Sequence, residues 1–411
     1  MPRLRAGLLA LGTALGTALV LTLASCSASP DDAAAPSSDP STGGTTSSDD
    51  GGGGDVSTCE VRRPLGPDSG AWLGVSLDWD HDTPAKYAAR LGEHPAAVVS
   101  SASMPLTDAD VDNVDGAARL AAEQGAVLLL TLEPNDGLRA VDSAAVDALV
   151  KALQDWNAAG APVVVRFGPD MNGSWYPWGQ QPKRFKRAFR AVADAVHADV
   201  PGSATMWAPA YGGGYPFVGG QYEAIPGGRA AVSLDRDLVG DLGPEDDPYA
   251  PYYPGDEAVD WVGMSLFHWG TVYPWGENEP PARGKLVAQL RGRYAAGGVD
   301  ERRTPDFYRL YGERRGKPVA LVETAALYAP GNEGATETRV KSGWIRQVLA
   351  PDLLDRLPQL KLVDWFEWNR YEQEIGGRVD WTATRRPAVR QTYRDALPGW
   401  AVFGDPDAPR C

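Results

Sequence analysis

The stretch PVVVRFGPDMNGSWYPWG, residues 162–179, joins an apolar run to a group of polar and aromatic side chains. The run Pro162–Asp170 has the length of a β-strand, and its continuous apolar character is typical of a parallel strand that is covered on both faces. The run ends at a carboxylate, Asp170, and an amide, two Trp and a Tyr follow it closely. The stretch therefore predicts a buried strand whose C-terminal end opens onto a polar, aromatic site.

Seven further apolar runs of similar length occur along the chain, and amphipathic segments with helical spacing lie between most of them. Eight strands that alternate with helices predict an α/β fold, a (β/α)8 TIM barrel that forms a single catalytic domain. A doubly wound open sheet is the alternative, although no nucleotide-type glycine fingerprint follows any strand. The predicted strands are Trp72–Trp79, Ala96–Met104, Ala126–Pro134, Pro162–Asp170, Ala204–Pro209, Val259–Phe267, Pro318–Thr324 and Lys361–Trp368.

The C-terminal ends of these strands carry carboxylates and indole rings. In a (β/α)8 barrel the chemistry takes place where the strands end, so we expect these side chains to meet on one rim. Indole faces stack on the C–H faces of sugars, which predicts a groove that binds a polysaccharide. The rim residues are Asp78, Trp79, Glu133, Asp170, Trp207, His268, Trp269, Glu323, Glu367 and Trp368.

Two of the rim carboxylates have the placement that glycosidic bond cleavage requires. Asp170 ends strand four and Glu323 ends strand seven, and these strands stand roughly opposite each other in an eight-stranded barrel. One carboxyl group can protonate the leaving oxygen while the other attacks the anomeric carbon, if about 5–5.5 Å separates them. For Asp170 a helix N-cap is the alternative role, whereas Glu323 is a poor candidate for a cap.

Three segments resemble signatures of glycoside hydrolase family 26. Arg166–Trp178 is similar to the strand-four signature of that family, which has Arg, then His-Glu-Met-Asn-Gly, then Trp. Lys317–Thr324 resembles the segment of its strand-seven nucleophile, and Tyr253–Gly263 resembles the approach to its strand six. The resemblance covers most of residues 70–395. It implies a retaining endo-β-glycanase, in a family whose known substrates include β-mannans, mixed-linkage β-glucans and β-1,3-xylans.

The resemblance also implies roles for individual residues. Asp170 takes the position of the acid/base, Glu323 that of the nucleophile, and Trp175 that of a platform for a sugar near the cleavage point. Arg166 and Asn172 are expected to position the two carboxylates. The predicted substrate-binding residues are Trp79, Arg166, Asn172, Trp175, Trp178, Trp207, His268, Trp269 and Trp368.

Three positions differ from the family pattern. Asp170 stands in place of Glu, Pro169 in place of a His that contacts the sugar, and Phe267 where a Tyr often hydrogen-bonds the nucleophile. Asp is one methylene shorter than Glu, and a misplacement of about 1 Å can cost about 100-fold in rate. His268, next to Phe267, is expected to substitute in part for the missing Tyr hydroxyl. The alternative function is therefore a catalytically degenerate, surface-anchored glycan-binding protein.

The N-terminal part of the chain predicts export and anchoring. Residues 1–25 have the basic start and apolar centre of a lipoprotein signal peptide, and Cys26 lies where the lipidated cysteine of a lipobox is expected. Residues 26–57 are rich in Ser, Asp and Gly, which predicts a disordered tether before the domain at 58–411. The remaining cysteines, Cys59 and Cys411, are expected to form a disulfide. The predicted location is the outer face of the cytoplasmic membrane, or the medium.

The net charge of the chain and its set of potential metal ligands limit the partners and cofactors that can be expected. The formal net charge of −15 argues against nucleic acid and anionic surfaces as partners and is compatible with an uncharged polymer. We expect a monomer that contacts the membrane only through its lipid anchor and requires no cofactor. A metal-dependent hydrolase is disfavoured because the four histidines lack metal-ligand spacing. One acidic loop predicts a structural calcium site, with Asp235, Asp237, Asp241, Glu245, Asp246 and Asp247 as its carboxylates.

Overall fold

Eight parallel strands close into a barrel in the computed structural model, which describes residues 61–271 and 275–407. Each strand pairs in parallel with its neighbours, and the eighth also pairs with the first, so the sheet has no open edge. The predicted (β/α)8 barrel is confirmed. We number the barrel strands β1 Ala71–Leu77, β2 Ala97–Ser103, β3 Val127–Glu133, β4 Val163–Phe167, β5 Ser203–Trp207, β6 Trp261–Ser265, β7 Val319–Thr324 and β8 Leu360–Glu367.

At least one helix follows every strand, and together these helices cover the outside of the barrel. They are α1 Pro84–Leu91, α2 Asp108–Glu123, α3 Ser143–Ala158, α4 Pro182–Asp199, α5 Arg229–Leu234, α6 Lys285–Leu290, α7 Glu337–Val348, α8 Leu353–Arg356 and α9 Pro387–Asp395. The connections also contain a 3₁₀ turn at Ala250–Tyr252, a π-helical turn at Tyr308–Glu313 and the short strands Ala295–Ala296, Val299–Asp300, Asn369–Glu372, Gly377–Asp380 and Ala401–Val402.

The core has the two layers that the barrel requires. A large cluster of buried apolar side chains lies between the strands and the helices, and a smaller one fills the barrel interior. Successive side chains of a strand point to opposite faces, so every second residue of a barrel strand faces the interior. Val164 of β4, Val322 of β7 and Leu362 of β8 are such inward residues and belong to the smaller cluster. Above this apolar layer the inward positions become polar, at Arg166 and Asp364.

Strand register brings the polar inward positions together. Thr131 of β3 pairs with Arg166 of β4, and Ser265 of β6 pairs with Glu323 of β7. The strand β4 is shorter than the predicted run and ends at Phe167, because Gly168 has a left-handed φ of 56° that ends the extended conformation.

The predicted signal peptide, the tether and the cysteines Cys26, Cys59 and Cys411 lie outside the described residues. Within the described ranges, no helix combines the length and the apolarity that crossing a membrane requires.

Candidate active site

Four side chains from three strands and one loop form the centre of the site. The Arg166 guanidinium donates from Nη1 to Glu323 Oε2 at 3.0 Å, and from Nη2 to Ser265 Oγ at 2.7 Å. Its Nη2 also lies 3.4 Å from Asp170 Oδ1. Ser265 Oγ is 3.1 Å from Asp170 Oδ1 and 3.1 Å from Glu323 Oε2. The structure thus brings the predicted catalytic carboxylates together around one arginine and one hydroxyl.

The two carboxylates are close enough for a single reaction centre. Because Ser265 Oγ contacts both, Asp170 Oδ1 and Glu323 Oε2 lie within about 6 Å of each other, as two carboxyl groups that act on one glycosidic bond must. The side chains of Asp170 and Glu323 remain 16% and 22% exposed, whereas that of Arg166 is 2% exposed. Both carboxylates are therefore partly accessible at the rim, whereas the arginine is buried.

The turn that follows β4 directs the Asp170 side chain towards Arg166 and Ser265. Asp170 has a φ of 52°, a left-handed conformation that non-glycine residues adopt mainly at turns and functional sites. Its backbone N–H donates to Ala208 O at 3.2 Å, beyond the end of β5. Asp170 therefore does not cap α4, which begins twelve residues later at Pro182 without a side-chain cap.

Two residues predicted to bind substrate instead hold this turn. Asn172 is fully buried and exchanges two hydrogen bonds of 2.9 Å with the backbone of Ala210. Trp178 is also fully buried, and its Nε1 donates to the carbonyl of Pro169 at 2.7 Å. Neither side chain is accessible to a sugar, so the prediction that these residues touch substrate is corrected to a role in holding the β4 turn.

Burial and neighbouring charges set the protonation of the site. Burial raises the pKa of Asp170 to about 6, with Arg166 lowering it and Glu323 raising it. Burial also raises the pKa of Glu133, which lies within the field of Arg166 and Glu323. Although burial opposes the charge on Arg166, Glu323 and Asp170 raise its pKa. The buried Arg166 therefore interacts with several carboxyl groups, and the pKa of Asp170 suits a group that gives and takes a proton.

The other Trp residues that were predicted to bind substrate differ in how much of the side chain is exposed. Trp175 is 40% exposed beside the turn, where its ring meets Phe217 edge-on, so it can present a face to a sugar. Trp79, Trp269 and Trp368 are half-buried on the rim. Trp207, by contrast, is fully buried among Tyr253, Phe307 and Tyr311. The prediction that Trp207 binds the substrate is therefore corrected: its indole packs in the core.

His268 also faces away from the cleft. It is 1% exposed, its Nε2 is 2.7 Å from Glu279 O, and its Nδ1 is 3.2 Å from Lys285 Nζ. Burial lowers the pKa of His268 to about 3, and Lys285 lowers it further, so the imidazole is neutral near pH 7. The expectation that His268 contacts the sugar or orients Glu323 is therefore wrong, because its ring nitrogens are engaged elsewhere.

Three site residues are absent from the predicted catalytic and substrate-binding residues, although one of them, Tyr176, belongs to the predicted aromatic stretch after β4. Ser265 bridges the catalytic carboxylates, and the partly exposed Tyr176 stacks on Trp178 with ring centroids 4.4 Å apart. Burial raises the pKa of Tyr176, and Asp170 and Glu323 raise it further, which places its hydroxyl in their field. The third is Asp364 of β8. A signal for Ser265 and Asp364 is present in the sequence, because each is a polar residue at an inward position of an apolar strand.

Asp364 lies in the barrel interior beneath the catalytic pair. It is fully buried, and neither of its oxygens has a hydrogen-bond partner in the described residues. Arg166 Nε and Thr131 Oγ1 are also without partners there. Gly74 of β1 faces Asp364, and a Cβ on Gly74 would lie 2.6 Å from Asp364 Oδ1, so the glycine is needed to make room. Burial raises the pKa of Asp364 well above its ordinary value, and Glu323 adds to the rise.

We expect Asp364→Asn to stabilise the protein near pH 7 but not in acid. The unfolded chain ionises Asp364 near pH 4, whereas the folded chain keeps it protonated, so its burial costs stability as the pH rises from about 4 towards the folded pKa. The neutral amide removes this cost, so we expect the variant to gain stability over the wild type at pH 7 and to lose that advantage at pH 3.5. Denaturant melts of both proteins at pH 7 and pH 3.5 test this; an equal difference at both values would contradict it.

The acidic loop contains one compact group of carboxylates. One oxygen each of Asp235, Asp237 and Asp246 lie within 4.8 Å of one another, whereas Glu245 pairs with Arg303. Asp247 accepts hydrogen bonds from the backbone of Tyr249 and Ala250. All three carboxylates of the trio also accept backbone hydrogen bonds. The structural calcium site stays a prediction, now reduced to Asp235, Asp237 and Asp246.

If the trio binds calcium, a chelator lowers the melting temperature. An ion present at about 100 times its Kd stabilises the folded state by about 2.7 kcal/mol, and a chelator removes that contribution. Thermal melts with EDTA, and with EDTA plus excess calcium, measure the effect, and Asp237→Asn should abolish the difference. An unchanged melting temperature in EDTA removes calcium from the description of this loop.

The chain shares its fold with solved glycosidase structures. No protein-family model matches it. The GH26C structure from Muricauda sp. has a TM-score of 0.52 with 13% identity, covering 83% of this chain and 89% of that chain. A modular endo-β-1,4-mannanase from Cellulomonas fimi, described among glycoside hydrolase family 26 mannanases, has a TM-score of 0.53 with 16% identity, covering 82% of this chain and 72% of that chain.

A sequence comparison finds one curated relative, which is also a polysaccharide-degrading enzyme by its name. Endoglucanase H of Acetivibrio thermocellus is 22% identical over 285 residues, which are 66% of this chain. The match spans 24% of that protein's length, so it concerns about one quarter of a longer protein.

Proposed function

We propose that this chain is a glycoside hydrolase of the family 26 type, a retaining endo-β-glycanase that acts on a β-linked polysaccharide. The observation that carries the proposal is the pair Asp170 and Glu323, held around Arg166 and Ser265 at the C-terminal rim of the barrel. The fold shared with the Cellulomonas fimi mannanase and the similarity to an endoglucanase support it.

In the proposed mechanism Glu323 attacks the anomeric carbon while Asp170 protonates the oxygen of the departing sugar. Asp170 then takes a proton from the water that hydrolyses the glycosyl–enzyme, which returns both groups to their starting states. Arg166 and Ser265 hold Glu323 through hydrogen bonds of 3.0 and 3.1 Å. The contact of both carboxylates with the one hydroxyl of Ser265 supports retention, because close carboxyl groups leave little room for a water between nucleophile and sugar.

The substrate is proposed to be a β-glucan or a β-mannan, bound along a cleft with Trp175 as an exposed platform. A panel of β-mannan, mixed-linkage β-glucan, laminarin and xylans, with analysis of product lengths, tests this proposal. We expect one polymer to be cut internally, and NMR to show first products with the β-configuration of the substrate. Products of inverted configuration would contradict the assignment of Glu323 as a nucleophile.

We expect kcat/KM to fall above about pH 6 on the polymer that is cleaved. The acid must carry its proton to activate the leaving oxygen, and burial raises the pKa of Asp170 to about 6. A pH–rate profile measures this limb. A glycoside with a dinitrophenol leaving group is the matched control, because its departure requires no proton and its alkaline limb should lie at higher pH. If kcat/KM fell at the same pH for both substrates, the titrating group would not be the acid Asp170.

A glycan-binding protein without catalysis is the second candidate, and the positions that depart from the family pattern favour it. Pro169 offers no side-chain hydrogen bond to a sugar, and Phe267 packs against Phe366 and Trp381 without a hydroxyl to orient Glu323. Ser265 takes over part of the orienting role through its hydrogen bond to Glu323, which favours activity. Saturable binding of one polymer in the panel without any cleavage would establish the second candidate.

The proposal also includes export of the protein and a lipid anchor at Cys26, followed by a tether. It further includes a Cys59–Cys411 disulfide and a monomeric state. The lipobox-like sequence before Cys26 and the acidic, Ser-rich segment after it support the anchor. Labelling with a palmitate analogue in a bacterial host, with Cys26→Ser as the control, tests it.

A further inference from the structure

A cationic groove lies on the side of the barrel, apart from the catalytic carboxylates. It is a cavity of about 900 Å³ between α3, α4 and α5, and the loop before α3 closes one end. The helices α3 and α4 both begin at the catalytic face, because each follows the C-terminal end of a barrel strand. Five cationic side chains line the groove: Arg139, Lys183, Arg184, Arg187 and Arg229.

These cations are poorly neutralised. In the described part of the chain no ion pair involves any of the five. Arg184 donates to the neutral Gln181 Oε1 at 2.8 Å. Two carboxylates, Asp142 and Asp147, line the same cavity, and Asp142 already accepts from the backbone N–H that begins α3.

Further cationic side chains lie close to one another around the groove, although the net charge of the whole chain is negative. The whole sequence has a formal charge of −15, so a local excess of cations is not a consequence of composition. Burial lowers the pKa of Lys186 on α4, and Arg190, Arg236 and Lys183 lower it further, which places several cations close together. The start of α4 adds the positive end of its dipole, because no side chain caps it.

The floor of the groove is apolar. Leu138, Val146, Ala188 and Ala230 line it between the cationic side chains. Apolar surface suits the C–H faces of sugar rings, and guanidinium groups bind carboxylate or phosphate groups through paired hydrogen bonds. A ligand with both features matches the groove better than an inorganic anion or a neutral glycan does.

We propose that this groove is a second binding site, for a glycan that carries anionic groups. Sugar rings lie on the apolar floor, and the carboxylates or phosphates of the glycan meet Arg139, Arg187 and Arg229. The site goes beyond the proposed hydrolase function and does not depend on it, because no catalytic residue lines the groove. It holds an acidic polymer close to the rim where the cleft opens.

Calorimetric titration of the purified protein tests the site with named polymers. Polygalacturonate supplies carboxylates, a phosphorylated mannan supplies phosphates, and laminarin is the uncharged control. We expect one of the acidic glycans to bind at low salt and to weaken as salt rises, and the acidic glycan that binds identifies the anionic group. We expect Arg187→Glu with Arg229→Glu to weaken that binding by about tenfold or more, since charge reversal replaces attraction by repulsion.

A matched variant separates the groove from general charge. Arg119→Glu with Arg314→Glu makes the same change in net charge at exposed positions away from the groove, and it should leave the affinity within about twofold. Melting temperature, and cleavage of any neutral polymer, should be unchanged in both variants, which separates failure of this site from failure of the hydrolase proposal. Absence of binding to both acidic glycans, equal binding by the groove variant and wild type, or equal loss in both variants would overturn the proposal.

Discussion

Replacing Glu323 by Gln should lower kcat on the cleaved polymer by at least about 10⁴-fold, because the amide cannot attack the anomeric carbon. KM should change little, since Gln keeps the size of the side chain and can still accept a hydrogen bond from Arg166 Nη1. Single-turnover assays with purified protein measure the effect, and circular dichroism shows whether the variant folds.

Asp78→Asn is the matched control for this variant. Asp78 is another rim carboxylate, at the end of β1, and its side chain contacts the exposed His81 at 3.0 Å. It has no contact with Arg166 or Ser265, so its loss should change kcat by less than about tenfold. If Glu323→Gln retained wild-type cleavage of every active polymer, Glu323 would not be the nucleophile.

Replacing Asp170 by Asn should lower kcat by about 10²–10⁴-fold on a polymer, the range that general acid catalysis supplies. The effect should be much smaller on a dinitrophenyl glycoside in the bond-breaking step, because that leaving group departs without a proton. Added azide should restore turnover in Asp170→Ala by replacing the water that the base activates. Equal losses on both substrates would instead assign Asp170 to binding or folding.

Asp170→Glu separates the two candidate functions. In an active hydrolase that is built around Asp170, an added methylene disturbs the contacts of 3.1 Å to Ser265 and 3.4 Å to Arg166, and activity should fall. In a glycan-binding protein that lost catalysis through the shorter side chain, the same change should raise activity. The direction of the change therefore decides between them.

The barrel and the location of its site could be predicted because both depend on local patterns. Each of the eight predicted apolar runs contains or overlaps a barrel strand, since burial on both faces requires apolar residues along the whole strand. The candidate catalytic pair could be chosen from topology, because strand ends of a parallel barrel share one face.

The contacts of the site could not be predicted in the same way. Asn172, Trp178, Trp207 and His268 have the residue types of a sugar-binding site, yet all are buried and engaged in packing or backbone hydrogen bonds. Whether a Trp faces a cleft or a core depends on the path of the loop that carries it. Ser265 was missed because its role arises only when β6 lies beside β7.

The sequence by itself determined the fold class and placed the two candidate catalytic carboxylates on one rim, because strand period and strand order are properties of the chain. Only the tertiary structure decided which side chains meet. It buried Asp364 without a hydrogen-bond partner among the described residues, and it gathered five cations into one groove of a chain whose net charge is −15. Net charge sums over the whole chain, whereas a ligand responds to the charges within about 10 Å of it. Folding determines which charges those are.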